Sequence, residues 1–264
     1  MTKSCCDSPS NDSESNSIDQ TKAVEARYGA AANHQEACLC TPVEFDQSLL
    51  IAIPQKVINR DYGCGDPTRW IRSGDNVLDL GSGSGKNAFI CAQIVGQAGS
   101  VIGIDRNEEM LNLSREASSE VAKNIGFKNV CFLEGAIESL DAIQSDQQPL
   151  IANSVIDVVL SNCVLNLVNP SARKAMLANI KRVLKPYGRV AISDIVSNIR
   201  VPLSLQKDPD LWSGCISGAW QEDEFIEDFQ MLGFKDVHYS DRTKEPWRVV
   251  DGIEFRSVTL VGHL

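Results

Sequence analysis

The chain has 264 residues, is 43% hydrophobic and carries a formal net charge of −10. This length suits one α/β domain with a modest extension, and the apolar share suits one substantial core. The acidic balance, without any Lys/Arg run, argues against a nucleic-acid backbone as ligand, and no apolar stretch is long enough to span a bilayer. The first twenty residues are polar where a secretory signal would be apolar, so the expectation is a cytoplasmic monomer without membrane attachment.

Residues 1–20, rich in Ser, Asn and Asp and carrying Cys5 and Cys6, read as a disordered tail. Residues 21–75 form a cysteine-bearing prelude without strand alternation. A short helix is expected over 21–28, a helical pattern interrupted by Pro54 over 43–58, and a tight Gly/Pro loop over 61–67. From Asn76 the pattern changes. Strands are expected over 77–80, 101–104, 130–133, 156–160 and 189–193, and helices over 86–95, 108–124 and 171–184. Short apolar strands alternating with helices predict βαβ units, hence a Rossmann-like, mostly parallel sheet over 76–198 with helices on both faces. The segment 199–264 differs. It reads as an irregular stretch around 212–220 that could cover a substrate, an acidic amphipathic helix over 222–232 stopped by Gly233, and strands over 237–240 and 255–261. With no helix between them, those two strands predict an antiparallel hairpin appended to the sheet.

The strongest motif is DLGSGSG over 79–85, between the first strand and the first helix of the repeating part. Glycines there let the backbone turn tightly and approach a ligand. The dinucleotide fingerprint fails, because Lys86 stands where its third Gly belongs; counted from Gly83 it reaches Ala88, which only the looser form accepts. The P-loop fails at Leu80 and at Asn87. The pattern D-x-G-x-G-x-G resembles the first motif of class I methyltransferases, whose cofactor is S-adenosylmethionine. Asp105, ending the second strand, can accept both hydroxyls of a ribose. The resemblance implies that Gly81, Ser82, Gly83 and Gly85 flank the methionine part of that cofactor and that Asp79 sits near its amino group. It also places Ala136 and Ile137 beside the adenine and counts Asn162 among the cofactor-binding residues.

The methyl acceptor is read from the loop after the fourth strand, SNCVLN over 161–166. It lacks the Asn-Pro-Pro-Tyr of many amino-methylating enzymes. His34, His238 and His263 fall outside every motif, so no positioned base is evident for oxygen or nitrogen chemistry. Thiols are evident instead. Of nine cysteines, Cys91 and Cys131 fall on a helix and a strand and read as core, whereas Cys38, Cys40, Cys64, Cys163 and Cys215 fall in loops. Thiolates prefer soft ions. Zinc is the weaker reading, because the close pair in the body of the chain is C-x-C rather than the C-x₂₋₄-C of structural sites.

Tyr28-Gly29, DYGCG at 61–65, the glycine loop, SNCVLNL at 161–167, VLKPYG at 183–188 and WSGCISGA at 212–219 together resemble the arsenite S-adenosylmethionine methyltransferases. The resemblance implies that Cys163 and Cys215 hold As(III), with Cys64 as a third ligand, and that Cys64 forms a further thiol pair with Cys38 or Cys40. It implies a small arsenical substrate, methyl transfer to the arsenic lone pair without a base, and a thioredoxin- or glutathione-type reductant that resets the thiols. The alternatives are a class I methyltransferase for another small acceptor, or a metalloid-binding redox protein. The first leaves the loop cysteines unexplained; the second, the intact glycine loop.

Overall fold

A computed structural model describes residues 20–33 and 43–264. Cys5, Cys6, Cys38, Cys40 and most of the expected tail lie outside those residues. Among the described residues nine strands join one sheet. Strands β1 (Asn76–Leu80), β2 (Ser100–Asp105), β3 (Val130–Glu134), β4 (Ile156–Asn162) and β5 (Leu184–Ser197) run parallel in the order β3-β2-β1-β4-β5. Short β6 (Trp220–Gln221) pairs with the end of β5. The expected terminal hairpin is present. Strand β9 (Ile253–His263) lies antiparallel on β5, with β7 (Lys235–Arg242) on its far side and β8 (Arg248–Val250) pairing its first residues.

The order follows from what the strands bury. Val77, Leu78 and Leu80 are 0% exposed, as expected of a parallel strand covered on both faces. Alternation sends Leu78 and Leu80 into one core, with Ile104, Val159 and Ile192, and Val77 into the other, with Val101, Val158 and Leu160. Helices α4 (Lys86–Val95) and α5 (Glu108–Ile125) cover the second core. The first is covered by α6 (Pro170–Val183) and α9 (Glu222–Met231). Capping sets the helix ends. Asn107 accepts from Met110 N at 2.9 Å to start α5, and Gly126 ends it at φ 90°. The strand order reverses between β1 and β4, so a crevice opens at their carboxyl ends, where such sheets bind ligands.

Some elements differ from expectation. Helix α1 (Gln20–Asn33) is longer than 21–28. Pro54 does not merely interrupt a helix: it caps α3 (Gln55–Ile58) and separates it from α2 (Gln47–Leu50). Strand β5 spans 14 residues, because Lys185–Gly188 form an irregularity in the pairing with β4 rather than a loop, with Tyr187 at φ 66°. The stretch before Trp220 contains two one-turn helices, α7 (Leu203–Gln206) and α8 (Pro209–Ser213), the latter capped by Asp208. Elements this short have no period to detect. No helix among the described residues is long and apolar enough to cross a membrane.

The appended α9 carries a full share of the core. Phe225 and Phe229 are 1% and 0% exposed, and Phe225 stacks against Trp220 and Phe229 at centroid distances of 5.2 and 5.7 Å. Phe225→Ala is expected to cost about 3–5 kcal/mol in a urea denaturation series. A change below about 1 kcal/mol would mean that α9 packs loosely.

Candidate active site

The glycine loop sits at the switch point. After β1 the chain turns through Gly81 and Gly83, at φ 68° and 52°, into α4, which Gly85 caps at φ 93°. A Cβ on Gly81 would stand 2.5 Å from Val164, so only glycine fits there. Gly81, Ser82 and Gly83 line a cleft with Asp105, with Gly135 and Ile137 after β3, and with Asn162 and Cys163 at the end of β4; α1 roofs it with Val24 and Tyr28. Asp105 accepts from Gly83 N at 2.8 Å through one oxygen and from Asn107 N at 2.9 Å through the other. Each oxygen keeps a further lone pair.

Asp79 lies beneath the loop, 1% exposed, rather than on the cleft wall. Burial, with Asp105 and Asp61 nearby, raises its carboxyl to about 8. Its Oδ2 has no hydrogen-bond partner among the described residues, nor has Ser82 Oγ or Asn87 Oδ1. Three orphaned buried polar atoms around one loop fit a polar ligand. Gly85 and Ala136 do not line the cleft. Gly85 is instead a packing position, where a Cβ would stand 2.8 Å from Phe132. At Ala136 the turn presents its neighbours, Gly135 and Ile137, to the cleft.

The thiols meet at the wall of this cleft. Cys64, Cys163 and Cys215 are 3%, 6% and 4% exposed and pack in one small cluster with Ile195, Ile216 and Phe255. Cys163 and Cys215 both hold left-handed backbone, at φ 62° and 61°, which non-glycine residues adopt only when their surroundings impose it. The Cys215 thiol donates to Cys163 O at 3.3 Å. Cys64 arrives from the 61–67 loop. Asn162 Oδ1 accepts from Cys64 N at 2.9 Å and from Gly65 N at 3.2 Å, while Nδ2 donates to Gly65 O at 2.8 Å. Asn162 therefore faces the cleft but spends its side-chain hydrogen bonds on the Cys64–Gly65 backbone. Ser257 also donates to Cys64 O, and a second cavity is lined by Cys64 with Val43, Arg69, Thr243 and Ser257.

Sequence reasoning missed Asp194. It lies on β5, 1% exposed, and its ligand oxygen and the sulfurs of Cys64 and Cys163 all fall within 4.8 Å of one another. A charged residue inside the apolar run of the fifth strand was the available signal. Burial raises Asp194 to about 7 against the hydrogen bonds it accepts from Ile195 and Asn166. Hydrogen bonds shared with Cys215 and Cys64, then burial, push the Cys163 thiol well up; burial pushes Cys64 up. Both thiols are protonated before a ligand arrives. From α1, the Tyr28 hydroxyl lies 4.0 Å from Cys215 Sγ, and Arg27 donates to Asp210 O and Ser213 Oγ at 3.0 Å. One helix thus touches both the cleft and the thiol cluster.

A glycine-looped cleft at the switch point of this sheet defines a methyltransferase fold, and the family described as "Methyltransferase domain" matches residues 71–233. An arsenic (III) S-adenosylmethionine methyltransferase from Chlamydomonas reinhardtii has a similar crystal structure, with 30% identity, a TM-score of 0.72, and 84% of this chain and 74% of that one covered. The arsenite methyltransferase of Aquipseudomonas alcaligenes is 36% identical over 71% of this chain and 52% of its own length, and that of Homo sapiens 33% identical over 81% and 57%. The chain belongs to the arsenite methyltransferase family, and it spans about half the length of the curated relatives it matches.

The raised carboxyls make stability depend on pH. Between the ordinary 3.8 and about 8, folded Asp79 keeps a proton that the unfolded chain has lost. The unfolded state then binds fewer protons, so stability falls as pH rises through this window. Asp79→Asn removes that contribution. The melting temperature of the cofactor-free variant is expected to fall less than that of the wild type between about pH 5 and about pH 8. Parallel curves would assign the dependence to other groups.

Proposed function

We propose that this chain transfers the methyl group of S-adenosylmethionine to trivalent arsenic held by Cys64, Cys163 and Cys215. The observation that carries the reading is the place of Cys163, which belongs at once to the cofactor cleft wall and to the buried thiol cluster. The donor set fits the cofactor: Asp105 for the ribose, Gly135 and Ile137 along the adenine, and Gly81 to Gly83 along the methionine part, with Asp79 beneath them rather than in contact. When bound, S-adenosylmethionine supplies an electrophilic methyl group.

The chain's own residues do the rest. Three thiols meeting arsenous acid exchange three S–H and three As–OH bonds for three As–S bonds and three waters. The thiol protons leave in that water, so capture needs no separate base, and arsenic keeps a lone pair as the nucleophile. The apolar wall of Ile195, Ile216 and Phe255 excludes solvent from the sulfurs. The protein's contribution to the chemical step is alignment, which alone can lower a barrier by about 7–11 kcal/mol. Methylation leaves arsenic formally oxidised by two electrons, which a thiol pair can return by closing to a disulfide. A dithiol of the thioredoxin class, or glutathione, reopens it. Cys64 with Cys38 or Cys40 suits this role. Cys40 stands three residues before Val43, which lines the second cavity together with Cys64. A methyltransferase for another small acceptor would leave three buried, mutually packed thiols without a task.

The thiols should act as a unit. Cys163→Ser, Cys215→Ser and the double variant are expected to lose arsenite methylation to nearly the same extent, with S-adenosylmethionine affinity within about twofold of wild type by calorimetry. Near wild-type methylation by either single variant would remove arsenic from this site and leave a methyltransferase with a different acceptor.

A further inference from the structure

The Cys163 and Cys215 loops are joined by a buried side-chain pair that the reaction does not itself use. Asn166 is 0% exposed and Asp194 1%. Asn166 Nδ2 donates to Asp194 Oδ1 at 2.7 Å and to Ile195 O at 2.6 Å, with Cys215 O at 3.5 Å, and Asn166 N donates to Asp194 Oδ2 at 3.3 Å. We infer that Asn166 and Asp194 are positioning residues that fix the spacing of Cys163 and Cys215, an inference resting on the thiol-held acceptor proposed above.

The connectivity carries the argument. Cys163 N donates to Ser193 O at 2.8 Å, which ties the start of the 163–166 loop to β5. Asn166 ties the end of the same loop to the next β5 residue, Asp194. Two anchors on adjacent β5 residues close the loop and hold Cys163 in its left-handed backbone. The Cys215 loop rests on the same residue. Cys215 O faces Asn166 Nδ2, and a Cβ on Gly218 would run into Asn166 O. Arg173 reinforces the contact by donating to Gly218 O and to Val168 O, at 3.4 Å for the latter. Both cysteine loops thus meet at Asn166, whose side-chain amide is held by the Asp194 carboxylate. Burying a carboxylate beside two sulfurs is costly, and an apolar residue would pack there at less cost. A hydrogen-bonded carboxylate does what an apolar residue cannot: it fixes the orientation of the amide.

The test removes each half of the pair. Asn166→Asp sets two carboxylates face to face. Asp194→Asn sets an amide N–H against a backbone N–H, because both Asp194 oxygens accept from the backbone. Asn166→Ser keeps the backbone bond and deletes the amide donors. Arsenite turnover, turnover of a monomethylated trivalent arsenical, S-adenosylmethionine affinity and melting temperature are measured for all three. Each is expected to lower kcat about tenfold or more on both acceptors, because both need Cys163 and Cys215, with cofactor affinity within about twofold of wild type. X-ray absorption on the arsenite-loaded Asn166→Ser variant is expected to show fewer than three sulfur neighbours. A folded variant at wild-type rate, or a full three-sulfur shell in a folded variant of lowered kcat, overturns the inference. Should a single exchange fail to fold, Asn166→Ser decides by the same two readings. Cys163→Ser is run alongside. If it methylates arsenite normally, the acceptor reading itself fails; if it is inactive while Asn166→Ser keeps the wild-type rate and three sulfurs, the positioning pair alone fails.

Discussion

The site depends on the side chain of Asn162. Cys64 lies 98 residues upstream of Asn162, in a loop that belongs to no sheet strand, and nothing in its local sequence brings it to the carboxyl edge of β4. Asn162 does so by spending its carbonyl on two backbone N–H groups and its amide on the Gly65 carbonyl. The loop is cut to fit: a Cβ on Gly63 would run into that amide, and one on Gly65 would stand 2.5 Å from Ser193 Oγ. With Cys64 fixed in this way, the strand-end cysteine Cys163 gains its first sulfur neighbour. The second comes from the Cys215 loop, through the Cys163 carbonyl and the Asn166 amide.

Burial then sets the chemistry. Cys64, Cys163 and the neighbouring Asp194 lie away from water, so charge is disfavoured on these three until a ligand arrives. A neutral acceptor that trades hydroxide for sulfur suits such a site, because the exchange creates no net charge. The same wall gives Cys163 to the cofactor cleft, and α1 spans both sides through Val24, Tyr28 and Arg27. The Lys86–Asp61 ion pair links the end of the glycine loop to the start of the Cys64 loop, with Lys86 3.6 Å above the Phe45 ring. The glycine loop and the Cys64 loop are therefore parts of one packed unit.

Local pattern made much of this legible. The alternation of short apolar strands and helices announces a parallel sheet, and DLGSGSG announces where its ligand crevice lies. Two loop segments, SNCVLNL and WSGCISGA, point to Cys163 and Cys215. What the sequence hid is what depends on distant partners. Asp194 sits in a strand whose pattern asks for an apolar residue, and only its contacts with Asn166 and the sulfurs explain it. Asn162 reads as a cleft residue, yet its hydrogen bonds go to the Cys64 loop. Asp79 reads as a cofactor contact and lies one layer below the cleft wall. The one-turn helices α7 and α8 depend on caps and prolines rather than on periodicity. The partner of Cys64 among Cys38 and Cys40 lies outside the described residues.

The central claim is that one trivalent centre is shared by three sulfurs at the edge of the cofactor cleft. X-ray absorption at the arsenic edge, on the arsenite-loaded protein, reads the ligands of that centre directly. The account predicts a shell of three sulfur neighbours with no oxygen remaining, and exchange of one sulfur for one oxygen in the Cys64→Ser variant. An oxygen-dominated shell, or a three-sulfur shell that survives loss of Cys64 unchanged, would contradict it.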